Sequence, residues 1–180
     1  MKKLFALLLA LIMLLCLAAC GAGGEKAPAD PSQVTGETYN AGKVSVLVPN
    51  GWTAFPVSDM WSEDPNATDP DKVNIIKGGE SELDMLSRPY MMVIHYEPNS
   101  FMIPSSDFYD NASNLDPITA GGLTWEGFSA ESLGSQIINI WTTSADGHQF
   151  QVNIFPKASK GEIALTDADV LAILSSVTNG

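Results

Sequence analysis

Cysteine is nearly absent from this 180-residue chain: there are two, Cys16 and Cys20, and none after them. The long portion beyond Cys20 therefore has no disulfide, no cysteine nucleophile and no thiolate zinc site. Basic residues are scarce as well, nine against 21 acidic. Every acidic residue follows Cys20, while Lys2 and Lys3 precede it. The chain beyond Cys20 thus carries seven positive and 21 negative side chains, a formal charge of −14. Such a surface repels phosphate backbones and anionic headgroups, which argues against nucleic acid as a partner and against charge as a means of membrane attachment. There are two histidines, His95 and His148, and neither stands at motif spacing from a serine. No Gly-x-Ser-x-Gly elbow, His-Glu-x-x-His pair or phosphate-binding glycine loop occurs. A triad assembled by folding remains open, because its members need not be close in sequence.

What is present begins at the N-terminus. Lys2 and Lys3 are followed by an apolar run from Leu4 to Ala19, ending Leu17-Ala18-Ala19-Cys20-Gly21. A positive start, an apolar stretch and small residues before a cut are the parts of a secretory signal. The run is short for a membrane-spanning helix, which needs about 20 apolar residues. The next basic residue, Lys26, stands alone. This segment resembles the lipobox of a bacterial lipoprotein. The resemblance implies removal of residues 1–19, a diacylglyceryl group on the Cys20 sulfur and acylation of the new amino terminus. One acyl chain, at about 0.8 kcal/mol per buried methylene, holds a protein only marginally, whereas two hold it stably. The expected location is the cell envelope, on the outer face of the cytoplasmic membrane or, in a two-membrane cell, a periplasmic face. The membrane is then a partner through the Cys20 lipid.

Residues 21–42, rich in Gly, Ala, Pro, Glu, Ser and Thr and without apolar periodicity, read as a flexible linker after the lipidated cysteine. Residues 43–180 are long enough for one domain with its own core. Val44, Val46 and Val48 alternate as a strand that turns at Pro49-Asn50-Gly51 into Trp52. Strands are also expected at Val73–Ile76, Tyr90–Tyr96 between Pro89 and Pro98, and Leu123–Ala130 after Gly121-Gly122. Ile137–Thr143 and Gln149–Phe155 flank Asp146-Gly147, a strong hairpin turn. Phe150, Val152 and Ile154 should face the core, with Gln151 and Asn153 opposite. Thr166 is a candidate cap for a terminal helix whose apolar stripe is Val170, Leu171, Ile173, Leu174 and Val177. A shorter helix is expected over Asp107–Leu115. The fold class is α+β, a mostly antiparallel sheet flanked by helices.

The opening Val44-Ser45-Val46-Leu47-Val48-Pro49-Asn50-Gly51-Trp52 resembles the start of PsbP-like domains. Gly121-Gly122 before a strand, a hairpin and a closing helix near Ser175-Ser176 follow in that family's order. The resemblance implies an αβα sandwich and, by analogy, an accessory or assembly role. It supplies no ligand residue.

Candidate sites are few. Asp64, Asn66, Asp69 and Asp71, beside Glu63, could offer oxygens to a hard cation, although Pro65 and Pro70 interrupt them and turns use the same residues. Met60-Trp61 and Phe101-Met102-Ile103 are apolar groups in turn-rich stretches that either mark a contact surface or fold back over the sheet edge. His95, on the Glu97 side of its strand, and His148, at the hairpin tip, read as strand-end or surface residues. The leading expectation is a lipid-anchored, non-enzymatic binding or accessory protein for an envelope protein or small ligand, with no cofactor. The alternatives are an envelope hydrolase using a histidine–carboxylate pair and a calcium-dependent module.

Overall fold

The computed structural model describes residues 30–180; the expected signal segment, Cys20 and the first part of the expected linker lie outside the described residues. Strands dominate, and every pairing is antiparallel. β1 (Gly36–Asn40) and β2 (Ser45–Pro49) form a hairpin. The main sheet contains β3 (Trp52–Ser58), β4 (Thr68–Lys77), β5 (Tyr90–Tyr96), β6 (Asp110–Asn114), β7 (Ile118–Ala120), β8 (Leu123–Ser132), β9 (Ser135–Thr143) and β10 (Gln149–Phe155). Its order is β3-β4-β5-β10-β9-β8-β6, with β7 also on β8, and it does not close into a barrel. β11 (Lys157–Ala158) and β12 (Gly161–Glu162) make a small hairpin, and α1 (Ala168–Ser176) is the one α-helix among the described residues.

The core follows the strand alternation. Val73, Val93, Val152 and Ile140 form one cross-strand row, and Ile75, Met91, Ile154 and Ile138 the next. These rows pack under the β1–β2 hairpin and α1 through Val44, Val46, Val170, Ile173 and Leu174. Trp52 is buried in the same core, and its Nε1 donates to Asp169 Oδ2 at 3.0 Å. The expected strands Tyr90–Tyr96 and Gln149–Phe155 therefore appear as a pair, and Phe150, Val152 and Ile154 of the second face the core as anticipated.

Three expectations need correction. The sheet is not an αβα sandwich: α1 and the β1–β2 hairpin cover one face. On the other, the segment leaving β5 lays Phe101 against Tyr96 and Trp141, and Tyr109 against Phe128. Asp107–Leu115 is not a helix, since a 3-10 turn at Ser106–Phe108 leads into β6, whose backbone pairs with the far half of β8. The folded domain does not start at residue 43, because Gly36–Asn40 pairs residue for residue with β2 and Tyr39 packs against the core. A backbone ladder with a neighbour can order a segment whose own composition could not. The terminal helix also differs in detail. Asp167, not Thr166, is its N-cap residue, and Ala172 takes a buried place that the expected stripe gave to Leu171.

Gln151 and Asn153 do face away from the core, yet Gln151 is buried. Its Nε2 donates to Asn139 Oδ1 at 3.1 Å and to Asn153 Oδ1 at 3.0 Å, and its Oε1 accepts from the Tyr96 hydroxyl at 2.9 Å. Burial raises the pKa of that tyrosine above the ordinary phenol value.

Candidate functional site

Because β4, β5, β9 and β10 are antiparallel neighbours, the start of β4, the exit of β5 and the β9–β10 turn all fall at one end of the sheet. The β1–β2 turn joins them: Lys43 N donates to Pro70 O at 2.9 Å. This end holds both histidines and most of the residues singled out from the sequence.

His95 occupies the core-facing side of β5, one rung beyond Val93, and pairs across to Phe150. It lies near the end of β5, as expected, but is only 3% exposed, so the expectation of a surface histidine is corrected. A buried imidazole needs partners for both nitrogens, and it has them. Nδ1 lies 2.7 Å from Asp71 Oδ1, and Nε2 lies 2.8 Å from Nδ1 of His148. Asp71 is the acceptor in the first contact, so the proton is on His95 Nδ1. The network then assigns Nε2 of a neutral His95 as acceptor for His148 Nδ1–H.

His148 reaches this position because of its turn. Gly147 adopts φ +90°, a conformation glycine enters freely. Gly147 N donates to Ser144 O at 3.0 Å and Ser144 N to His148 O at 2.8 Å. The tip folds back so that the two rings lie 5.0 Å apart, with 32° between their planes.

Glu97 and Lys43 complete the cluster. Glu97 Oε2 is 3.9 Å from His148 Nδ1, while Lys43 Nζ is 3.2 Å from Glu97 Oε1 and 3.6 Å from Asp71 Oδ2. Glu97, and then Asp71, hold the Lys43 ammonium above its ordinary pKa. Asp71, His95 and Glu97 border a cleft of about 230 Å³, together with Lys72, Tyr96 and Ser100. Larger hollows lie elsewhere, among them about 300 Å³ along β1–β3 and about 500 Å³ near the β8–β9 turn. None of the larger ones is lined by a histidine, so chemistry rather than size selects the smaller cleft.

The oxygen donors proposed for a hard cation divide into two pairs engaged within the protein, Asp64 with Asn66 and Asp69 with Asp71. Asp64 Oδ1 accepts from Asn66 N at 2.9 Å inside the exposed β3–β4 turn. Asp69 pairs with Lys72 at 2.7 Å and raises the lysine pKa, and Asp71 turns to His95. The group of ligand atoms that does converge is His95, Glu97 and His148, all within 4.8 Å of one another. Met60 and Trp61 stand 89% and 93% exposed in the β3–β4 turn. Met102 and Ile103 are also exposed, whereas Phe101 is half-buried on Tyr96 and Trp141 beside a second cleft of about 270 Å³.

Sequence reasoning missed the joining of the two histidines. The available signal was the parity of β5, which places His95 with Met91 and Val93, and the Asp146-Gly147 turn, which brings the start of β10 back to β5.

No protein-family model and no curated protein matches the chain. Among solved structures, it is similar to a protein from Bacteroides thetaiotaomicron VPI-5482, with TM-score 0.43 and 11% identity over 81% of this chain and 48% of that one. It thus spans about half the length of that protein. It is also similar to LpqN, involved in cell envelope biogenesis of Mycobacterium tuberculosis, with TM-score 0.36 and 15% identity over 68% of this chain and 77% of that one. Likeness at this level transfers neither activity nor site residues.

Proposed function

We propose that this chain is a lipid-anchored protein of the cell envelope, of non-enzymatic binding or accessory type, which presents the histidine end of its sheet to a protein partner. The observation that carries the reading is that two loops leaving the same end of the sheet each expose large apolar side chains, Met60-Trp61 in one and Met102-Ile103 in the other. Large exposed apolar groups beside acidic residues suit a partner surface that is itself apolar and basic. The lipobox resemblance supports the anchor, and the PsbP-like opening supports an accessory role by analogy. Among the described residues no helix is long and apolar enough to cross a membrane.

The direction of the chain adds to this. Asn50 N, at the β2–β3 turn, donates to Thr35 O at 2.9 Å, while the β1–β2 turn touches Pro70. The chain therefore enters the domain at the end opposite the histidines, separated by strands that rise about 3.3 Å per residue. A tether running from Cys20 to that entry point directs the histidine end away from the membrane. Photo-crosslinking in intact envelopes tests the reading. A crosslinker replacing Trp61 is expected to give a discrete protein adduct, and one replacing Leu133, exposed on the β8–β9 turn, none. Equal labelling from both positions, or none from Trp61, would overturn it.

A hydrolytic reading has one observation in its favour: His95 lies beside the Asp71 carboxylate in a cleft. Yet Nε2 of His95 faces His148, and the Ser100 hydroxyl donates to Glu97 O at 2.6 Å. The pair has no hydroxyl bonded to it among the described residues. A hydrolytic activity lost in His95→Gln with folding intact would restore this reading.

A further inference from the structure

Two imidazoles and a carboxylate meet at the histidine end of the sheet, and the way they are held is that of metal ligands. We propose that His95 Nε2, His148 Nδ1 and Glu97 Oε2 form a binding site for a divalent transition-metal ion of the zinc type. The inference goes beyond the partner-binding role above and does not depend on it.

The orientation of His95 is the first argument. A metal-binding histidine usually donates its other ring N–H to a carboxylate, which fixes the tautomer and makes the ligating nitrogen more basic. Asp71 does this to His95, at 2.7 Å from Nδ1. The nitrogen left with a lone pair is Nε2, and it points at His148 rather than into the apolar core. The ring is buried against Phe150, with centroids 5.6 Å apart, so it cannot turn away.

The second argument is the complementary freedom of His148. Its Nδ1 now lies 2.8 Å from His95 Nε2, a hydrogen-bond distance. Bonds of about 2.0–2.1 Å in a tetrahedral site would place two ligand nitrogens about 3.3 Å apart. The rings must therefore part by about half an ångström. His148 sits next to the hairpin turn, and its Nε2 has no hydrogen-bond partner among the described residues. Its ring proton can move to Nε2 as Nδ1 takes the ion.

Glu97 divides its two oxygens. Oε1 faces Lys43 at 3.2 Å, and Oε2 is the oxygen turned toward His148. The carboxylate can thus ligate without giving up its ion pair. Two acidic side chains, Asp71 and Glu97, stand in the cluster against one lysine, Lys43, a formal balance that favours a dication. Imidazole ligands select zinc and its neighbours over calcium or magnesium, which take oxygen. Three protein ligands also leave a fourth position for water or a ligand.

Calorimetric titration of the full chain in detergent with zinc chloride tests this, followed by visible absorption with cobalt(II) in place of zinc. One ion per chain is expected, with cobalt bands in the range of tetrahedral nitrogen and oxygen ligation. His148→Ala and Glu97→Gln should each weaken zinc at least about tenfold, and Asp71→Asn about 10–100-fold. Asp64→Asn, in the β3–β4 turn, should change nothing. Metal-free unfolding of each variant shows that the fold is intact; His148 and Glu97 lie at the end of the sheet, where truncation leaves the main rows untouched. Absence of stoichiometric zinc, or binding that survives both His148→Ala and Glu97→Gln, would overturn the proposal. Trp61 crosslinking without metal binding would remove this site and leave the proposed function standing.

Discussion

His95 stands in line with Met91 and Val93 on a strand face otherwise given to the core, and two contacts make the substitution of an imidazole for an aliphatic side chain tolerable. Leaving either nitrogen unbonded there would cost about 1–3 kcal/mol. Gly127 shows the opposite constraint one row away. It sits on β8 across from Ile140, where an added Cβ would come within 2.8 Å of Ile140 Cα and closer still to Asn139 O. The backbones of β8 and β9 leave no room for a side chain. Gly127→Ala is expected to lower stability by about 1–3 kcal/mol, as overpacking does. Urea unfolding reads this directly, and an unchanged midpoint would mean that β8 and β9 move apart at little cost.

At the scale of elements, the connection from β4 to β5 depends on one carboxylate. Asp84 lies in the 3-10 helix Glu82–Leu86, where its Oδ2 accepts from Glu80 N at 2.9 Å and Ser81 N at 3.1 Å. Those backbone donors, then the nearby Arg88 and Lys160, lower its pKa below the ordinary aspartate value. A depressed folded-state value means that the contribution is complete above the unfolded pKa, about 3.9, and is lost as pH falls through the folded one. Asp84→Asn should therefore be less stable than the native chain at neutral pH, and the gap should narrow below about pH 4. A gap of constant size across that range would show that the turn does not use the charge. The elements most legible in the sequence were those whose signal is local: the valine alternation of β2, the proline-bounded β5, the Asp146-Gly147 hairpin and the apolar stripe of α1. β1 and β6 were not legible. Gly36–Asn40 has little apolar periodicity, and Asp107–Leu115 has apolar residues at helical spacing. Each became a strand because a neighbouring strand offered a free edge of hydrogen-bonding groups.

For the molecule as a whole, its two ends differ. One gathers the histidines, Lys43, Glu97 and the exposed Met60 and Trp61; the other receives the chain at Thr35 and carries the exposed Leu83, Leu86 and Leu133. If Cys20 bears the lipid, the processed protein has no free thiol, and the formal charge of −14 beyond Cys20 opposes attraction to anionic lipid. A Cys20→Ala variant, still exported and processed, is expected to fold with an unchanged unfolding midpoint and to fractionate with soluble material. Retention in the membrane fraction would point to the leucines at the entry end as a second attachment.

Composition and order alone determined the scarcity of thiols and positive charge, the signal-like start, the antiparallel β-rich character and the closing helix. These are properties of single residues or of neighbours in the chain, so they can be read without folding. Tertiary structure alone decided that Asp71, His95, Glu97 and His148 form one cluster, because strand register joins residues separated by 24 and 53 positions. It also decided which polar side chains are buried. His95 and Gln151 sit in patterns that read as strand-end and solvent-facing, and each is buried by chain that arrives from elsewhere in the sequence.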